Sequence, residues 1–191
     1  MNEKRHSSEN DKKVSNSRTA EANDALYRAL GIESKILATY PAPAQREATS
    51  AELTLFSTTA DGRALRATTQ TAQSWLKLQR AAASASIVIE VTSAFRSIEY
   101  QGQLIKRKLE SGESLGDILK VNAIPGFSEH HTGEALDLFS PPQPPLITAF
   151  EETAAFQWLS GHASNFGFSL SYPRGNRSGF SYEPWHWKFN P

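Results

Sequence analysis

Ser128-Glu129-His130-His131-Thr132-Gly133-Glu134-Ala135-Leu136-Asp137, read with Glu183-Pro184-Trp185-His186 near the C-terminus, decides how this chain is understood. The two segments offer imidazoles and a carboxylate as metal ligands, and Glu183 adds a second carboxylate three residues before the last histidine. A hydrolytic zinc centre needs three protein ligands of this kind, an open fourth position and a general base nearby. The chain has no cysteine, so no thiolate site competes.

Geometry limits how these residues can meet. On an α-helix, positions seven apart share a face but stand about 10 Å apart along the axis. That is too far for His130 and Asp137 to hold one ion through bonds of about 2 Å. In a straight strand, an odd separation sends the two side chains to opposite faces. The segment must therefore bend, and Thr132-Gly133 is the place, because glycine tolerates backbone angles that other residues avoid. Pro184 biases Glu183 toward an extended conformation. Trp185-His186-Trp187-Lys188-Phe189 alternates with period two, which turns His186 away from the aromatic face of a terminal strand. Local geometry permits a shared site without requiring one.

The pattern Ser-x-His-x-x-Gly-x-Ala-x-Asp at 128–137, followed by Glu-x-Trp-His at 183–186, resembles the zinc D-alanyl-D-alanine carboxypeptidases of the vancomycin-resistance (VanY-like) type. That family lies within a wider group that includes lysostaphin-like endopeptidases and the hedgehog signalling domain. The resemblance takes in Ser93-Ala94-Phe95-Arg96-Ser97-Ile98-Glu99-Tyr100-Gln101, similar to the family's substrate-carboxylate segment, and Tyr172-Pro173. His131 departs from the pattern, since the family often has Gln there. The resemblance implies that His130, Asp137 and His186 bind zinc and that Glu183 is the general base and acid. It further implies that Arg96, Gln101 and Ser128 hold the substrate's terminal carboxylate and nearby polar groups, with Tyr172 and Trp185 lining the pocket. The residue types suit the chemistry: zinc acidifies water and polarises a carbonyl, and a neighbouring carboxylate can carry the proton to the leaving amine.

Composition agrees with a small enzyme of one domain. The length of 191 residues and 39% hydrophobic content suffice for a core. Twenty basic and twenty acidic side chains cancel, so neither nucleic acid nor an anionic membrane is an expected partner. No apolar run reaches the length of a membrane span, and the polar opening Met-Asn-Glu-Lys-Arg-His has no signal-peptide character. A cytoplasmic monomer is the expectation from these features. The implied substrate, a peptidoglycan stem peptide, belongs instead to the bacterial envelope.

Along the chain, residues 1–23 read as a disordered polar tail and 24–191 as the carboxypeptidase-like domain. Asp24 is placed to cap a helix over Ala25–Leu30 ended near Gly31. Strands are expected at Glu52–Thr58 and Arg63–Thr68 around an Asp61-Gly62 turn, and at Ile87–Thr92 and Phe168–Tyr172. Helices are expected at Thr71–Ala85, from a Ser97 cap through Leu109, at Ser114–Val121, and at Thr153–Phe166 before Gly167. The sum is an α+β domain with a mostly antiparallel central sheet, helices packed on it, and the zinc site on the sheet.

His6 and His162 read as solvated, His131 as turned away from the ligands, and Glu99, Glu129 and Glu134 as solvated or supporting groups. The favoured activity is removal of a C-terminal D-amino acid from a stem peptide. The alternatives are a phage-type lytic endopeptidase, or a non-catalytic zinc-stabilised binding module. A retained Glu183 and an Arg96 anion clamp both favour catalysis, because a structural zinc gains nothing from either.

Overall fold

The computed structural model describes residues 22–190. The tail expected over 1–23 lies outside the described residues as far as position 21. Residues 22–29 form helix α1, so Asp24 sits within this helix and does not cap it. A short α2 (Ser34–Thr39) follows, which the sequence reading passes over. Strands β1 (Leu53–Thr58) and β2 (Ala64–Thr68) make an antiparallel hairpin across Asp61-Gly62, as expected. Thr68 then caps α3 (Thr69–Ser84), its hydroxyl accepting from the Thr71 amide at 3.2 Å.

The central sheet has four antiparallel strands in the order β3-β4-β6-β5, with β3 at Glu90–Ser93, β4 at Ala135–Phe139, β5 at Phe168–Leu170 and β6 at His186–Phe189. The β-branched run at Ile87–Thr92 is thus only partly strand. Helix α4 (Ile98–Glu110) begins on the Ser97 cap, and α5 (Leu115–Ile118) on Ser114. The helix expected through Phe166 is divided: α6 (Ala154–His162) tightens into a 3-10 turn at Ala163–Phe166, which Gly167 ends at φ 79°. The expected α+β fold is what the chain forms.

One face of the sheet is the main core. Leu136 and Leu138 of β4 and Trp187 and Phe189 of β6 pack with Trp75 and Leu78 of α3 and Leu159 of α6. Burying each such aliphatic side chain stabilises the fold by about 2 kcal/mol. Because side chains alternate along a strand, Asp137 and His186 project from the other face. The register pairs them directly opposite one another. A second core of Leu30, Ile32, Ile105, Ile118 and Ile124 supports α4.

Candidate active site

Ser128 opens a 3-10 turn, Glu129–Thr132, that ends at Gly133 with φ 71°. Two constraints select glycine here. The backbone is left-handed, and a Cβ would stand 2.8 Å from Leu53 Cδ2 and 3.2 Å from the Thr68 nitrogen. The Gly133 carbonyl accepts from that Thr68 amide at 2.9 Å, tying the β1–β2 hairpin to the turn. The bend expected at Thr132-Gly133 is therefore present, and it brings His130 and Asp137 to one point.

His130, Asp137 and His186 are all buried, and their ligand atoms lie within 4.8 Å of one another. His130 Nδ1 donates to the Ala94 carbonyl at 2.6 Å, which leaves the lone pair on Nε2. That Nε2 lies 3.1 Å from Asp137 Oδ2 yet has no hydrogen-bond partner. A buried imidazole nitrogen left unpaired beside a carboxylate is what a metal ligand requires. His186 Nδ1 stands 3.1 Å from Asp137 Oδ1, while its Nε2 bonds Glu129 Oε2 at 3.0 Å. Tetrahedral zinc with bonds near 2 Å needs ligand atoms about 3.3 Å apart, a spacing that the two Asp137 contacts at 3.1 Å approach, so the group could hold such an ion.

Charge is strongly organised around this cluster. Burial lowers the His130 pKa to about 4. Burial also opposes a charge on His186, but its bonds to Asp137 and Glu129 prevail and push it up to about 9. Asp137 is likewise opposed by burial, yet His130, His186 and Arg96 hold it well below the usual carboxylate range. Metal binding at His186 Nδ1 requires the proton there to leave.

Glu183 behaves differently. It is 6% exposed and its Oε2 lies 3.9 Å from His186 Nδ1. Burial raises its pKa to about 7, which suits a group that must take and return a proton near neutrality. Its amide donates to the Tyr172 carbonyl at 3.1 Å, so the loop before β6 and the loop after β5 hold it together.

Arg96 Nη2 bonds Asp137 Oδ2 at 3.1 Å and Nη1 bonds Gln101 Oε1 at 3.3 Å, while its buried Nε has no partner. Five positions apart, Arg96 and Gln101 converge because Arg96 precedes α4 and Gln101 lies within its first turns. Gln101 is fully buried and its Nε2 donates to the Ala123 carbonyl at 2.8 Å. Both its polar atoms are engaged, so Gln101 orients Arg96. Ser128 caps nothing with its side chain. Arg96, Gln101, Ser128, Tyr172, Phe180 and Glu183 surround a recess of about 20 Å³ that reaches His130 and His186. The Tyr172 ring lies 4.6 Å from that of His186, and burial with the nearby Glu129 and Glu183 raises its hydroxyl pKa. Glu183 and Arg96 also border an open cleft of about 760 Å³, lined in part by Trp185.

The remaining histidines and acids fall into place. His131 is fully buried and bridges the Arg96 carbonyl (2.6 Å) and the Gly126 amide (3.1 Å), so it braces the site from behind. His162 is exposed and stacks on Trp158 at 4.6 Å. His6 lies outside the described residues. Glu99 accepts from Gln103, and Glu134 lies 4.0 Å from Lys188. Glu129 takes the supporting role, one of the two readings the sequence left open for it. Its Oε2 accepts from both His186 Nε2 and Ser171 Oγ, the latter at 2.6 Å, and these bonds bring its pKa to about 2 against the effect of burial. Adjacency to His130 was the only signal in the sequence, and it does not say which way a side chain in a tight turn points.

Known proteins resemble this chain in sequence and fold. The chain is 30% identical over 125 residues to the bifunctional D-Ala-D-Ala dipeptidase and D-Ala-D-Ala carboxypeptidase VanXYC of Enterococcus gallinarum, covering 63% of this chain and 65% of that protein. It spans between 20% and 65% of the length of the curated relatives it matches. Among solved structures, the LdcB LD-carboxypeptidase superposes with a TM-score of 0.65 at 26% identity, over 77% of this chain and 71% of that one. The vancomycin-resistance D,D-pentapeptidase VanY of a VanB-type cassette, solved in complex with Zn(II), gives 0.59 at 25% identity, over 78% and 82%. The sequence pattern of the D-alanyl-D-alanine carboxypeptidase VanY matches residues 64–191, and the chain belongs to that family of metallopeptidases.

Proposed function

We propose that this protein is a zinc-dependent carboxypeptidase that removes a C-terminal D-alanine from peptidoglycan stem peptides. Zinc would be held by His130 Nε2, Asp137 and His186 Nδ1, the atoms that face one another in the cluster. Held there, it would acidify water and polarise the scissile carbonyl. Glu183 takes the proton from the attacking water and delivers it to the leaving amine, from a position at the junction of recess and cleft. Arg96 receives the terminal carboxylate through its unpaired Nε and its remaining N–H groups, with Gln101 fixing the guanidinium plane and the Ser128 hydroxyl beside it. Tyr172 closes the recess and Trp185 lines the approach.

The observation that carries this reading is Arg96, whose buried Nε has no partner and whose side chain lines a narrow recess of about 20 Å³ beside His130 and His186. A substrate's terminal carboxylate would supply the missing acceptor, which an enzyme cutting within a chain does not require. The test is to incubate the zinc-loaded protein with stem pentapeptide and tetrapeptide as free acids and as C-terminal amides, and to read products by mass. Loss of a single alanine from a free acid, and none from its amide, is expected. Cleavage of the amide at equal rate, or an internal cut, would move the protein to the lytic endopeptidases. Elemental analysis of His130→Ala protein should show zinc lost, and undiminished zinc would overturn the ligand assignment.

A further inference from the structure

The open cleft extends well beyond the metal cluster, and its charge is one-sided. Its only acidic lining groups are Asp137 and Glu183, both at the cluster end. Farther out the titratable groups are Arg63, Lys108 and Tyr100. Lys108 is half-buried on α4, and no carboxylate lies within 4 Å of its amine among the described residues. Helix spacing explains this. The positions three and four away are Leu104, Ile105, Ser111 and Gly112, whereas Lys106 on another face has Glu110 at 3.8 Å. Arg63, from the β1–β2 turn, gives its Nε to Asp61 at 3.0 Å and its Nη2 to the Thr92 carbonyl at 3.5 Å, and lines the cleft beside Thr92.

The outer cleft is also unusually apolar at its lip. Tyr100, Val121 and Leu146 line it and are three of the six large hydrophobic side chains exposed on the described surface. Between lip and cluster, Asn122 borders both cleft and recess, and its side-chain oxygen is buried with no partner. Cations, an apolar lip and an unpaired amide together form the complement of an extended peptide bearing a carboxylate.

We propose that this outer cleft is an acyl-side subsite, in which Lys108, assisted by Arg63, receives a carboxylate carried by the retained part of the substrate. The inference rests on the proposed carboxypeptidase reading for its direction: Arg96 and the narrow recess take the residue that leaves, so the retained chain lies in the wider cleft. Ser97, Tyr100, Leu104 and Lys108 share one face of α4 and all line the cleft. From Ser97 at the cluster end to Lys108 the helix rises about 16 Å. An extended peptide covers that in about five residues, and the length of the lysine side chain shortens it to about three or four. The acid is therefore read near the third or fourth residue upstream of the bond cut, and Asn122 bonds the intervening backbone.

The test uses two stem pentapeptides with the lysine side chain acetylated, one carrying the free α-carboxylate of its D-glutamate and the other its amide. Dissociation constants are measured on zinc-loaded Glu183→Gln protein, and kcat/KM on the wild type. The acidic peptide should bind about 3- to 10-fold more tightly, as a partly screened ion pair allows. The preference should vanish in Lys108→Gln, persist in Lys108→Arg, and persist in the control Lys106→Gln. Equal binding of acid and amide, or a preference that survives in Lys108→Gln and in the Arg63→Gln/Lys108→Gln double variant, would overturn the subsite. If the wild type cuts neither peptide, the carboxypeptidase reading falls, while the binding measurements still decide the subsite.

Discussion

Replacing Glu129 probes how the cluster is held. Its Oε2 accepts from His186 Nε2 at 3.0 Å and from Ser171 Oγ at 2.6 Å, so one carboxylate oxygen fixes both the ring orientation and the proton position of a candidate ligand. Charge-assisted hydrogen bonds of this kind contribute about 1.5–3 kcal/mol, equivalent to roughly one to two orders of magnitude in an equilibrium constant. Glu129→Gln keeps the shape and an acceptor oxygen but removes the charge, so zinc affinity should fall about 10-fold. Glu129→Ala leaves the His186 Nε2–H and the Ser171 hydroxyl unpaired, and the loss should approach 100-fold. Competition for zinc against a chromophoric chelator measures both, with far-ultraviolet circular dichroism confirming the fold. Glu134→Gln is the control, because Glu134 stands on the same segment but its carboxylate, among the described residues, approaches Lys188 at 4.0 Å and none of the cluster. Unchanged zinc affinity in Glu129→Ala would refute the idea that this carboxylate supports His186.

Glu183→Gln should retain metal and melting temperature while losing about 10²- to 10⁴-fold in kcat, the usual contribution of a positioned proton carrier; near-wild-type turnover would assign that role elsewhere. His131→Ala removes two buried hydrogen bonds and opens a cavity, so chemical denaturation should show a loss of about 2–4 kcal/mol. His131→Gln, which keeps a donor and an acceptor, should lose clearly less, and equal losses would mean that volume alone matters there. Deleting residues 1–21, a polar stretch by sequence, should leave melting temperature and activity unchanged. Extending the deletion through Leu30 should destabilise, since Leu30 is 4% exposed in the second core and Tyr27 donates to the Pro125 carbonyl at 2.9 Å.

The parts of this structure that could be read in advance are those set by local rules. Caps at Ser97 and Ser114, the Asp61-Gly62 hairpin and the glycine end at Gly167 all follow from side chains acting on their own backbone. The need for a bend at Gly133 followed from distance alone. Other features depend on contacts far apart in the chain. Strand β4 is buried on both faces, Leu136 and Leu138 against the main core and Asp137 within the histidine cluster, and its five residues carry no pattern that announces this. Residues 87–89 of the Ile87–Thr92 run do not pair, because β4 ends at Phe139, opposite Glu90. For the site, the candidate ligands His130, Asp137 and His186 came from motif resemblance, and the fold brings them together. The orientation of Glu129, the bracing role of His131 and the engagement of Gln101 required side-chain positions.

The opposition of Asp137 and His186 across β4 and β6 has a consequence for folding fidelity. A slip of one residue between these strands would present Trp187 to the polar face and turn His186 inward. Such an arrangement would not gather His130, Asp137 and His186, so an ion held by these three would stabilise only the correct alignment. Its binding free energy adds to the penalty for every misaligned alternative. The metal would therefore act as a proofreader of strand alignment, which makes chelation a route to structural heterogeneity as well as to lost activity.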